Sequence, residues 1–111
     1  MSDKVFFIQS EVLGRGDERL GTLLMANFLR LLADNPQKPA AIILWNAGVK
    51  LACEESTLLE YLRKLQAQHV EVLACTTCLE YFDLKEKLLV GKPTTMVKSI
   101  ETMMNREVIM L

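Results

Sequence analysis

The chain has 111 residues, half of them hydrophobic, with 13 basic and 14 acidic side chains and a formal net charge of -1. That length fits a single domain over residues 1–111, able to bury roughly two thirds of its unfolded surface without disulfide or metal staples. The charge gives no support for the strongly basic face of a nucleic-acid binder. The longest apolar run, Ala40 to Trp45, falls far short of the ~20 residues that span a bilayer, so neither nucleic acid nor membrane is an expected partner.

A strand is expected almost at once, over Lys4 to Gln9 around Val5-Phe6-Phe7-Ile8, with no leader pattern ahead of it, and a cytoplasmic location follows as an expectation. Gly14-Arg15-Gly16-Asp17 is a turn. From Glu18 to Asp34, Leu20, Leu24, Phe28 and Leu31 recur at helical spacing with Leu23 and Leu32 beside them, and this stripe is expected to face the core. Asp34-Asn35-Pro36 and Pro39 end the helix. Ala40 to Trp45 has the continuous apolar pattern of a strand buried on both faces, closed by Asn46-Ala47-Gly48. A second helix is expected from about Ser56, capped by its hydroxyl and preceded by Glu54 and Glu55, with Leu58, Leu62 and Leu65 as its core stripe.

Val70 to Ala74 reads as a third strand, and Cys75-Thr76-Thr77-Cys78 leads into a short helix. Thr77 and Glu80 have capping-box spacing, which would place Cys78 in the first turn. Leu88-Leu89-Val90 is expected as a short fourth strand ended by Gly91-Lys92-Pro93. Thr94 or Thr95 caps a last helix reaching about Met104, with Asn105 as a left-handed C-cap, and Val108 to Met110 is a final strand. Strands alternating with helices predict an α/β three-layer sandwich: a mainly parallel sheet of about five strands with helices on both faces.

In such a sheet, chemistry collects at the carboxyl ends of the strands. Three loops leave those ends: Gly14-Arg15-Gly16-Asp17, the segment from Asn46 through Gly48 to Cys53, and Cys75-Thr76-Thr77-Cys78. Cys75, in a cysteine pair with two threonines at a strand end, an exposed setting, would hold its sulfur before free helix amides, which favour the nucleophilic thiolate. An odd count of three cysteines in a reducing compartment points to reactive or metal-binding thiols rather than a structural disulfide.

A zinc site needs about four ligands. Only Cys53 and His69 remain to supply them, and His69 and Cys75 lie roughly 20 Å apart at opposite ends of the third strand, so no metal is expected. The glycine cluster has neither dinucleotide-loop nor Walker spacing, and Asp17 reads as a helix cap, so no cofactor is expected. Two uses of the Cys75/Cys78 pair stay open, disulfide exchange and sulfur transfer, beside the plain reading of two small buried apolar groups. Cys53 reads as core packing and His69 as a loop residue. Six methionines and wide apolar stripes, with Met25 and Leu29 beside the first helix's core face, exceed what one small core needs and point to a homo-oligomer or a non-catalytic binding subunit.

The chain resembles the DsrE/DsrF-like family, and within it the YedF-type, sulfurtransferase-like branch of selenium metabolism. The likeness rests on Leu13-Gly14-Arg15-Gly16-Asp17 with Leu20-Gly21, on Asn46-Ala47-Gly48-Val49-Lys50-Leu51, and on Leu73-Ala74-Cys75-Thr76-Thr77-Cys78-Leu79-Glu80-Tyr81-Phe82 with Leu84-Lys85-Glu86-Lys87-Leu88 and Val90-Gly91. The resemblance implies an oligomeric α/β domain in which Cys75 carries persulfide sulfur, or selenium, received from a carrier protein. Cys78 belongs to the same pattern. Members of this branch often begin with a TusA-like domain bearing a Cys-Pro motif; this sequence shows none, so a TusA-like carrier on another chain is the implied partner. Cys53 matches no family motif.

Overall fold

The computed structural model describes residues 2–111. Five strands, β1 (Lys4–Ile8), β2 (Ala41–Leu44), β3 (Glu71–Cys75), β4 (Lys92–Thr94) and β5 (Glu107–Met110), form one sheet in the order β4-β3-β2-β1-β5. Every pairing is parallel, with Val5 opposite Ala41, Ala41 opposite Glu71, Leu73 opposite Lys92 and Lys4 opposite Glu107. Four α-helices accompany it: α1 (Glu18–Asp34), α2 (Leu59–Ala67), α3 (Thr76–Tyr81) and α4 (Met96–Asn105), with 3-10 turns at Asn46–Ala52 and Lys85–Lys87.

Alternation along the strands sorts their side chains between the two faces. Ile8, Ile42, Leu44, Val72 and Ala74 meet Met25 and Leu29 of α1, Leu62 and Leu65 of α2 and Leu79 of α3. On the other face Val5, Phe7, Ala41 and Ile43 pack with Trp45, Met103 of α4 and Val108. Helices therefore lie on both faces of an all-parallel sheet, as the sequence predicts. Among the described residues no helix is long and apolar enough to cross a membrane.

The first helix has the predicted bounds, capped by Asp17, whose carboxylate accepts the Leu20 N–H at 2.9 Å, yet it turns a different face inward. Gly21, Met25, Leu29 and Ala33 are buried, whereas Leu20, Leu23, Leu24 and Leu31 are exposed. Apolar residues surround nearly the whole helix, so two stripes have helical spacing, and the small residues decide between them. A Cβ on Gly21 would lie 2.8 Å from Val12 Cβ; the helix seats where Gly21 lets the chain pass closely.

Other boundaries shift for local reasons. Leu88–Val90 is not a strand: Leu88 bridges to Cys53, and the Leu89 and Val90 amides donate to Ala52 O. The fourth strand is instead Lys92–Thr94, where Pro93 is tolerated because an edge strand needs ladder bonds on one side only. The Ser56 hydroxyl accepts the Leu58 N–H in a local turn, and α2 starts at Leu59. Thr95 caps α4, its hydroxyl accepting the Lys98 N–H, while Asn105 is the last helical residue and the C-cap is Arg106 in extended backbone.

Ser99 is the one buried residue of α4, and its hydroxyl has no hydrogen-bond partner among the described residues. A buried hydroxyl without a partner is costly, and alanine is the better helix former. Ser99→Ala is expected to stabilise the fold by about 1 kcal/mol, seen as a higher urea midpoint at unchanged slope.

Candidate functional site

The third strand ends at Cys75, and the chain turns directly into α3. The helix is capped by Cys75 itself, not by Thr77: the Cys78 N–H donates to Cys75 Sγ at 3.3 Å. The spacing of Thr77 and Glu80 suits a capping box, but a sulfur one residue before the helix is already in place to accept that amide. With only six residues, α3 has a small dipole, and the Cys78 N–H is the backbone donor aimed at the Cys75 sulfur. The strand places Cys75 in the core cluster at 8% exposure, which corrects the expectation of an open setting. Cys78, half-buried, is the sulfur nearer solvent.

Facing α3 is the 3-10 turn that follows the second strand. Asn46, in the left-handed region at φ 51°, donates its backbone N–H to Cys78 Sγ at 3.1 Å. An open groove of about 540 Å3 beside this contact is lined by Asn46, Thr77, Cys78, Tyr81 and Phe82. Tyr81 and Phe82 meet edge to face with centroids 5.2 Å apart, and Lys50 Nζ sits 4.5 Å above the Phe82 ring. Burial, reinforced by the adjacent Cys75 sulfur, pushes the Cys78 thiol up to about 11, with the Asn46 amide pulling the other way. At neutral pH Cys78 is therefore protonated.

Of the residues singled out in the sequence, Asn46, Thr77 and Cys78 meet in the groove and Cys75 lies next to Cys78. Thr76 turns away, its hydroxyl donating to Thr94 O at 2.9 Å and tying α3 to β4. Gly48 is a buried residue of the 3-10 turn, where a Cβ would collide with Ile8 O. Gly14, Arg15, Gly16 and Asp17 form an exposed loop into α1 and line no part of this groove. Tyr81 and Phe82, given no role by the sequence reading, are lining residues; three and four positions after Cys78, they share its helix face.

Cys53 is buried, and its thiol donates to Val49 O at 3.2 Å. Desolvation, then Glu54, raises its pKa; it is a core residue, as its sequence context predicts. His69 occupies the left-handed corner before β3, at the far end of that strand from Cys75. No group of three or more His, Cys, Asp or Glu among the described residues is placed to hold a metal ion.

No family model matches the chain, and no curated protein matches it. Solved structures do. The YchN protein from E. coli aligns over 100% of both chains with a TM-score of 0.74 and 17% identity. BT1422 from Bacteroides thetaiotaomicron, a conserved protein of unknown function, covers 98% of this chain and 95% of its own with a TM-score of 0.70 and 18% identity. MTH1491 from Methanobacterium thermoautotrophicum, also of unknown function, covers 97% of each with a TM-score of 0.68 and 23% identity. At these identities the likeness is one of fold, and the fold shared along the whole chain is this α/β sandwich.

Proposed function

We propose that this protein is a sulfur-relay, sulfurtransferase-like carrier that holds sulfane sulfur as a persulfide on Cys75, in the manner of the YedF-type branch it resembles. The observation that supports the reading is the pair of amides aimed at the two sulfurs: Cys78 N–H on Cys75 Sγ and Asn46 N–H on Cys78 Sγ. Hydrogen bonds to a charged sulfur favour its thiolate and, equally, a persulfide anion. Cys75 thiolate attacks the terminal sulfur of a donor persulfide, R–S–SH. The new bond joins Cys75 Sγ to that sulfur, the donor S–S bond breaks, and R–S⁻ leaves with the electron pair.

Cys78, as its thiolate, then attacks the outer sulfur, breaking the bond to Cys75 Sγ, which leaves as the thiolate while Cys78 carries the persulfide onward; or it attacks the inner sulfur, closing a Cys75–Cys78 disulfide and expelling hydrosulfide. The donor in this reading is a TusA-like carrier on another chain, which meets the groove edged by Tyr81 and Phe82; selenium in place of sulfur follows the same steps. The deciding experiment is intact mass after incubation with a polysulfide donor, comparing wild type with Cys75→Ser and Cys78→Ser.

A second reading, assembly into a homo-oligomer, is favoured by a separate observation. Leu20, Leu23, Leu24 and Leu31 of α1 are exposed in one stripe, Leu23 at 62%, and α4 exposes Met96, Val97, Ile100 and Met104. Apolar stripes of this extent are unusual on a monomer's surface. Light scattering is expected to return a mass above that of one chain, lowered by Leu23→Glu; a strict monomer in the wild type ends this reading.

A further inference from the structure

We propose, building on the sulfur-relay reading, that Asn46 is a positioning residue for Cys78: its left-handed backbone holds an N–H on that sulfur and so governs when the thiol becomes a nucleophile. The contact joins residues 32 positions apart, so it is not a by-product of local turn geometry. Left-handed backbone is costly for most residues and least so for asparagine and glycine. Here Asn46 Oδ1 accepts the Ala47 N–H at 2.8 Å, which fixes the corner from within.

The corner is also anchored from below. Trp45 N–H donates to Ile8 O at 3.0 Å, Gly48 N–H donates to Trp45 O at 2.9 Å, and Gly48 itself is pressed against the end of β1. His69 and Asp83 are left-handed too, yet their amides are taken up by the backbone carbonyls of Gln66 and Glu80. The amide of Asn46 is instead delivered to a side-chain sulfur on the candidate site. Among the groups facing Cys78 this donor opposes burial and the Cys75 sulfur. The remaining titratable neighbours are Tyr81 on the groove, Glu80, paired with Lys85, and Lys50, paired with Glu11.

The test is the pH profile of Cys78 alkylation by iodoacetamide in the full chain without any sulfur donor, so that failure of the relay reading cannot be mistaken for failure of this one. Site-resolved mass spectrometry reads Cys78 and, as an internal folding control, the buried Cys53. In Asn46→Val, whose branched side chain rejects the left-handed corner, Cys78 is expected to react more slowly at pH 8 on the order of tenfold, the factor one hydrogen bond to a charged group is worth. Cys53 stays protected. Asn46→Gly, which keeps both the corner and the N–H, is expected to match wild type. Should Asn46→Val expose Cys53, the milder Asn46→Ala is read in the same way. An unchanged Cys78 profile with Cys53 protected overturns the proposal, as does a Gly variant shifted as far as the Val variant.

Discussion

Cys75→Ser is expected to gain no sulfur from a polysulfide donor, whereas wild type and Cys78→Ser each gain at least one sulfur atom. The asymmetry follows from the protonation of Cys78 and the amide on Cys75. Cys78 is held as a thiol, pushed up to about 11, and a thiol is a poor nucleophile; Cys75 is the sulfur left to act, with the Cys78 amide already donated to it. In wild type the persulfide is expected to be consumed faster as pH rises, because each unit below 11 costs Cys78 about tenfold in thiolate. In Cys78→Ser that pH-dependent step is absent and the added sulfur persists. Normal sulfur gain by Cys75→Ser would remove Cys75 from the reaction. A wild type that loses two hydrogens and never gains sulfur would point to disulfide exchange instead.

Gly48→Ala is expected to destabilise the fold by about 3 kcal/mol, at the upper end of what an added methyl costs in a closed site. The atom in its way is Ile8 O, with Ser10 N also close at 3.3 Å; both belong to backbone at the end of the central strand β1, which cannot yield without breaking its ladders to β2 and β5. Gly14→Ala gives the comparison. Gly14 has φ 82° but nothing within 4 Å of a Cβ, so only left-handed strain remains, about 1 kcal/mol. Urea unfolding of the two variants side by side checks the difference; equal losses would show that the collision at Gly48 is relieved at little cost.

The strand–helix order, the all-parallel sheet and the span of α1 are legible from periodicity because those elements are long or continuously apolar. The inward face of α1 is not, since Leu20-Leu24-Leu31 and Met25-Leu29 have equal periodicity; the choice is made by Gly21 and Ala33, whose importance is a matter of what they touch. Lys92–Thr94 is hidden by Pro93, which signals a turn until the strand is known to be at an edge. At the site, the sulfur pair is visible as Cys-x-x-Cys at a strand end. The burial of Cys75 and the role of its sulfur as helix cap are not, because both depend on Cys75 being the last residue of β3 and not the first of a loop. The partnership of Asn46 with Cys78 is equally out of reach, being a contact between two elements separated by α2 and β3.

The placement of β5 beside β1 has a consequence for biosynthesis. On one flank Phe6 and Phe7 take their neighbours from Ile109 and Met110, far along the sequence, and α4 crosses beneath the sheet to make that pairing. A ribosome-bound nascent chain must therefore keep one flank of β1 unsealed until translation has passed Met110, which makes β5 the latch of the sheet and its pairing a slow, non-local step in maturation.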